Sequence, residues 1–164
     1  MSFDELAELL TKKFGDAILQ QDKNGLQPSL IVKPSSLIEI CQFLRDTEGL
    51  YFDMLTCITG IDNFPQPTLE VVYHLYSIPY NHWAILRVFI ERKENPQEQE
   101  KIPSLTSLWG GANWLERETA EMFGIIFDGH PDLRRLLLPD DWEGFPLRKN
   151  YKHQEKYHGI TVKY

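Results

Sequence analysis

A chain of 164 residues, 42% hydrophobic and 25% charged, is long enough to bury one core without disulfide or metal staples. Its formal net charge of -7 argues against a basic face for neutralising phosphates, so nucleic acid is not an expected partner. Cys41 and Cys57 stand far apart without CxxC spacing, and no apolar run approaches the roughly 20 residues that cross a bilayer, which speaks against a disulfide framework, a cluster or zinc site, and a membrane span.

The first ten residues, MSFDELAELL, are acidic and amphipathic, unlike the basic start of a signal peptide, so a cytoplasmic location is expected. Ser2 and Glu5 make a capping box, and Phe3, Leu6, Leu10 and Phe14 fall on one helical stripe that Gly15 ends. AILQQ and SLIVK then read as antiparallel strands joined by a tight turn in which Asn24-Gly25 supplies positive backbone angles. Pro34 and Ser36 open a second helix, with Glu39 completing a second capping box and Leu37, Ile40, Cys41 and Leu44 facing the sheet.

LYFDMLTCIT, LEVVYHLYSI and HWAILRVFIE are rich in β-branched and aromatic residues, with turn chemistry between them, and predict the main strands. In the last, Leu86, Val88 and Ile90 alternate with Arg87, Phe89 and Glu91, which predicts one buried and one more open face. The order of elements predicts an α+β domain: a mainly antiparallel sheet with helices packed on one face. After the charged connector ERKENPQEQEKIP the pattern changes. The expected division is a domain over 1–138, with a dense segment at 102–138, followed by an extended C-terminal arm over 139–164.

The run ERETAEMFGIIFDGHPDLRRLLLPDDWEGFPLRKNY, Glu116 to Tyr151, concentrates charge, rings, glycine and proline with little periodicity. Asn113 is the expected N-cap of a short helix, with Glu116 in its capping box and Gly124 as its stop. Glu116, Arg117, Glu118 and Glu121 point in several directions while Phe123 also needs cover, so contacts on more than one side are expected. His130 sits in a turn and either pins it by hydrogen bonds or serves chemistry. Arg134 and Arg135 either pair internally or clamp acidic groups of a partner. Trp142, Phe145, Tyr151, Tyr157 and Tyr164 are too many rings for a lone tail to bury on itself, which predicts docking on another protein, the alternative being an arm packed back on its own domain. The motifs for dinucleotide, phosphate, zinc, acyl-transfer and dithiol chemistry are absent. A site built from Glu118, Glu121, His130 and Asp132 is the remaining catalytic alternative, as a small cytosolic carboxylate and histidine enzyme.

ERETAEMFGIIFDGHPDLRRLL, followed by EGFPLRKNY, resembles the signature of the 30 kDa-type subunit family of respiratory complex I, the NADH:quinone oxidoreductase. The residues that carry the resemblance are Glu116, Arg117, Glu118, Glu121, Phe123, His130 and Arg134, then Arg148, Lys149 and Tyr151. Glu121 stands where the family more often has aspartate, and Phe145 where histidine is common. The resemblance implies a scaffold of a bacterial translocase that couples electron transfer from NADH to quinone to proton pumping. It implies no catalytic, cofactor or metal residue in this chain; FMN, iron-sulfur clusters and quinone would lie on partner subunits. It also implies docking on the large quinone-site subunit of complex I and on its neighbours in the peripheral arm. The expected place is the cytoplasmic side of the bacterial inner membrane. Equivalent subunits of plastoquinone-reducing and hydrogenase-type complexes share the pattern. Arg135, Trp142 and Phe145 join the signature residues as the expected partner interface.

Overall fold

The computed structural model describes residues 1–162, so Tyr164, counted above among the rings of the arm, lies outside the described residues. Helix α1 (Phe3–Phe14) begins at Ser2, whose Oγ accepts the Glu5 amide while the Glu5 carboxylate accepts the Ser2 amide at 2.7 Å. This is the predicted capping box. Strands β1 (Ile18–Asp22) and β2 (Ser29–Val32) pair antiparallel, but the connection spans residues 23–28 and Gly25 does not take a positive φ. Asp22 Oδ1 accepts the Asn24 amide at 3.0 Å instead, so an aspartate side chain shapes the bend that the glycine was expected to make.

Helix α2 (Leu37–Asp46) buries Leu37, Ile40, Cys41 and Leu44 as predicted, without the expected capping box. Pro34–Ser36 coils into a tight 3-10 turn that leaves Ser36 at φ -103°, ψ 1°, away from the extended geometry that aims an N-cap side chain at the helix amides.

Strands β3 (Met54–Asp62), β4 (Thr68–Ser77) and β5 (His82–Glu91) complete a five-stranded sheet in the order β1-β2-β5-β4-β3. Only the β2–β5 junction is parallel, because α2 and the β3–β4 pair intervene before the chain returns beside β2. Leu86, Val88 and Ile90 are buried while Glu91 is exposed, as the alternation in β5 predicts. The same face of β4 presents Leu69, Val71, Tyr73 and Leu75 to a core shared with α1, α2 and helix α3 (Ala112–Phe123).

Gly60 of β3 makes the approach of α3 possible, since a Cβ there would stand 2.5 Å from Phe123 Cδ2 and 3.0 Å from Thr119 Cγ2. Gly60→Ala is therefore expected to destabilise the chain by about 2 kcal/mol through overpacking, read as a lower urea midpoint at unchanged slope.

Around α3 the chain makes small pairings. Strand β6 (Ile102–Pro103) lies parallel to β7 (Phe127–Asp128), bracketing the helix. Near the C-terminus, within the segment expected as an extended arm, β8 (Lys156–Tyr157) and β9 (Ile160–Thr161) form a small hairpin. Gly159 at φ 78° and His158 at φ 49° supply the positive backbone angles of its turn.

Candidate functional site: a clamp built on α3

Helix α3 starts at Ala112 after Gly111, so Asn113 is a helical residue and not the N-cap. Glu116 is correspondingly freed from a capping box and turns inward. Fully buried, it accepts Ser104 Oγ at 2.6 Å and the Leu105 amide at 2.7 Å. Burial pushes its carboxyl up to about 7, against the opposing pull of those two donors. His130 also has a fully buried side chain, 4.0 Å from Glu116. Its Nδ1 accepts the Asp132 amide at 2.9 Å, which places the ring proton on Nε2, donating to the Asn113 carbonyl at 3.0 Å. The histidine thus pins the turn to the first turn of α3.

One helical turn further, the other charges hold the irregular segment 133–138. Glu121 is buried and its carboxylate accepts three consecutive backbone amides, Leu136 at 3.1 Å, Leu137 at 2.9 Å and Leu138 at 2.7 Å. Arg117 donates to the Arg134 and Arg135 carbonyls, each at 3.0 Å. Arg135 in turn donates to the Pro139 and Trp142 carbonyls. Three side chains thereby satisfy seven backbone groups of an irregular segment that has no ladder of its own. Arg134 pairs with Asp132 at 2.8 Å on the surface, and that guanidinium holds the Asp132 carboxyl well below the usual carboxylate range.

Residues 145–151 are drawn back to the domain. Phe145 lies over Gly124, which ends α3 at φ 71° and whose missing side chain leaves room for the ring. Arg148 is buried and donates to the Phe123 carbonyl at 2.7 Å, the Lys93 carbonyl at 2.8 Å and Gln99 Oε1 at 3.4 Å. The Lys149 amide donates to Asp62 Oδ2 at 2.9 Å, while Arg92 bonds both Asp62 and Asn150. Burial alone would raise the Asp62 carboxyl, but the Lys149 and Phe64 amides and the Arg92 guanidinium together hold it low.

Of the thirteen residues marked from the sequence, Glu116, Glu121, Phe123 and Arg148 are interior, as is the imidazole of His130, which corrects the expectation that they face a partner. Their polar atoms are spent on the chain's own amides and carbonyls. Arg117, Arg135, Trp142, Phe145 and Tyr151 are half-buried, while Glu118, Arg134 and Lys149 are exposed. Ser104, Gln99, Asp62 and Arg92 are partners that the sequence reading missed; only their pairing with distant charges gives them a role. Trp114 at the start of α3 is 65% exposed, and Leu133 and Leu137 are exposed as well. A cleft of about 340 Å³ is lined by Pro96, Ala120, Ile125, Leu133 and Phe145 among others.

The alternative catalytic set does not converge. Both His130 nitrogens and both Glu121 oxygens are engaged by backbone groups, and Asp132 is held by Arg134. Among the described residues no group of three histidine, cysteine or acidic side chains is placed to hold a metal ion, and no helix is long and apolar enough to cross a membrane.

Fold and clamp together define an α+β domain whose signature charges shape its own surface loops. Residues 30–157 match the model of a family described as respiratory-chain NADH dehydrogenase, 30 Kd subunit. The chain belongs to that family. It is 44% identical over 158 residues to the C subunit of the NADH-quinone oxidoreductase of Chloroherpeton thalassium, covering 95% of this chain and 63% of that protein. It is 42% identical to the protein of the same name from Chlorobium phaeobacteroides, covering 96% of this chain and 93% of that one. The fold is shared with a chain of the membrane-bound sulfane sulfur reductase, an archaeal respiratory membrane complex, at a TM-score of 0.74 and 19% identity, covering 91% of this chain and 85% of the other.

Proposed function

We propose that this chain is a non-catalytic scaffold, the 30 kDa-type subunit in the peripheral arm of a bacterial NADH:quinone oxidoreductase, a translocase that couples electron transfer from NADH to quinone to proton translocation. FMN, iron-sulfur clusters and quinone are carried by its partners, and none by this chain. The complex holds it at the cytoplasmic side of the inner membrane. Its main partner is the large quinone-site subunit, with other peripheral-arm subunits around it.

The observation that carries this reading is the use of the signature charges. Glu121, Arg117 and Arg135 bond backbone groups of residues 134–142 and so fix the outward display of Leu133, Arg134 and Leu137. Charges engaged this way with backbone groups build a surface and are not held ready as an acid or base. Leu137 is 61% exposed and Trp114 65%, apolar groups of the kind a partner covers. The domain over 1–138 supplies this surface. The arm beyond 139, anchored through Phe145, Arg148 and Lys149, offers its outer length to the same partner. Kinship with proteins named as the C subunit of that oxidoreductase supports the choice of complex.

The test is Leu137→Asp combined with Arg134→Glu, two changes at exposed side chains. Recovery of the chain with its complex from native membranes is expected to fall at least tenfold, as for loss of central interface contacts. The circular dichroism and thermal midpoint of the isolated chain are expected to stay unchanged. Full recovery of the complex would refute the interface.

A further inference from the structure

The three α-helices all contribute to the core on one side of the sheet, which leaves its other side without an α-helix among the described residues. Cross-strand partners line that open side in rows, with Met54, Tyr76 and Trp83 at one end and Thr59, Val72 and Arg87 in the middle. Met54 is 44% and Trp83 55% exposed, and the Tyr76 and Trp83 rings lie 4.3 Å apart. Large apolar groups in register across three strands form a patch, unlike the single exposed ones that any surface carries.

The patch also has a definite charge. Arg87 bonds Asp22 at 2.6 Å and Glu70 at 2.5 Å, with its guanidinium 5.2 Å from the Phe89 ring centre. Two carboxylates share one fixed cation. His74, in the same wall, has its pKa lowered by burial and adds no compensating charge near neutrality. A cleft of about 260 Å³ opens at this point between Ile61, Glu70, Val72, His74 and the loop holding Gly25 and Gln27. It is an anionic notch in an apolar surface.

We propose that the open face of the sheet is a second docking surface, and that its occupant is a segment of another protein of the complex, bearing aliphatic side chains around one lysine or arginine. The cation enters the notch beside Glu70 and Asp22, while the aliphatic groups cover Val72, Tyr76 and Trp83. A second copy of this chain is disfavoured, because a two-fold contact sets the surplus carboxylates against themselves. A lipid surface is disfavoured because anionic headgroups are repelled by the same charge. The surface is distinct from the α3 clamp, which lies on the core side of β3. The proposal rests on the assembly reading above, and adds a second grip on the same domain from the opposite side.

The test places a photo-reactive benzoyl-phenylalanine at Val72, or separately at Leu137, in the full chain made in its own host. The intact complex is purified and irradiated, and joined peptides are sequenced. Val72 is expected to join a co-purifying protein at a segment containing lysine or arginine. Asp22→Asn, or Glu70→Gln as a second variant, is expected to lower that yield about tenfold, the effect of removing one close interfacial charge pair. Joining at Leu137 without joining at Val72 overturns this proposal alone. So does capture at Val72 of lipid, of a second copy or of a segment lacking a basic residue, and so does a yield unchanged by both variants. Absence of joining at both positions overturns the assembly reading with it.

Discussion

Glu121→Ala is expected to lower the unfolding free energy by about 4 kcal/mol and to release residues 133–138 from the domain. The Glu121 carboxylate accepts three consecutive amides, at 3.1, 2.9 and 2.7 Å. A hydrogen bond to a charged acceptor contributes roughly 1.5–3 kcal/mol, and part of that is recovered when water reaches the freed amides. Three bonds minus that recovery give the stated loss. Amide exchange resolves the two effects, because Leu136, Leu137 and Leu138 should lose protection by more than the global change requires. Glu121→Gln, which keeps one oxygen acceptor, should fall between. Unchanged protection at the three amides would show that the segment is held by its apolar contacts and not by the carboxylate.

The second large effect is a pH dependence centred on Glu116. Its carboxyl titrates near 4.5 when unconstrained and at about 7 in the folded chain, raised mainly by burial. Between those values the folded state retains a proton that the unfolded state has released, so stability falls as pH rises. The stabilisation is complete below about pH 4.5 and is lost as pH passes through 7. Each pH unit in that window removes roughly 1.4 kcal/mol, or about 3 kcal/mol in all. Glu116→Gln keeps the shape and an acceptor for the Leu105 amide without the charge. It is expected to flatten this part of the profile and to exceed the parent in stability at about pH 8. The check is urea unfolding from about pH 5 to pH 8 on both proteins; parallel profiles would contradict the assignment. Tyr73 and Cys41, both fully buried and both pushed further up by the Glu116 charge, face the same spot from β4 and α2.

Much of the architecture was legible because it follows periodicity. The stripes of α1 and α2 and the alternation in β5 each assign a buried face without knowledge of neighbours. What failed were local details decided by geometry that a sequence does not display. Ser36 lost its cap because Pro34 starts a tighter turn just ahead of the helix, and Gly25 yielded its bend to Asp22. The family was legible in the dense segment, but the use of its charges was not. A glutamate beside an arginine reads equally as a partner's hook or as an internal strut, and only the distances from Glu121 to three amides separate the two. Ser104 and Gln99 carry no recognisable pattern, since their partners lie 12 and 49 residues away.

Arg148 has a consequence for how the chain is made. Synthesis runs from the N-terminus, so the sheet and α3 emerge before residue 148 does. Until then the carbonyls of Phe123 and Lys93 and the Gln99 side chain wait in a partly built interior for a donor that is still being translated. A chain ending before that residue would leave the Phe123 and Lys93 carbonyls without this donor and Gly124 without the cover of the Phe145 ring. The guanidinium therefore joins the end of α3 to the connector after β5 only once residue 148 has been made.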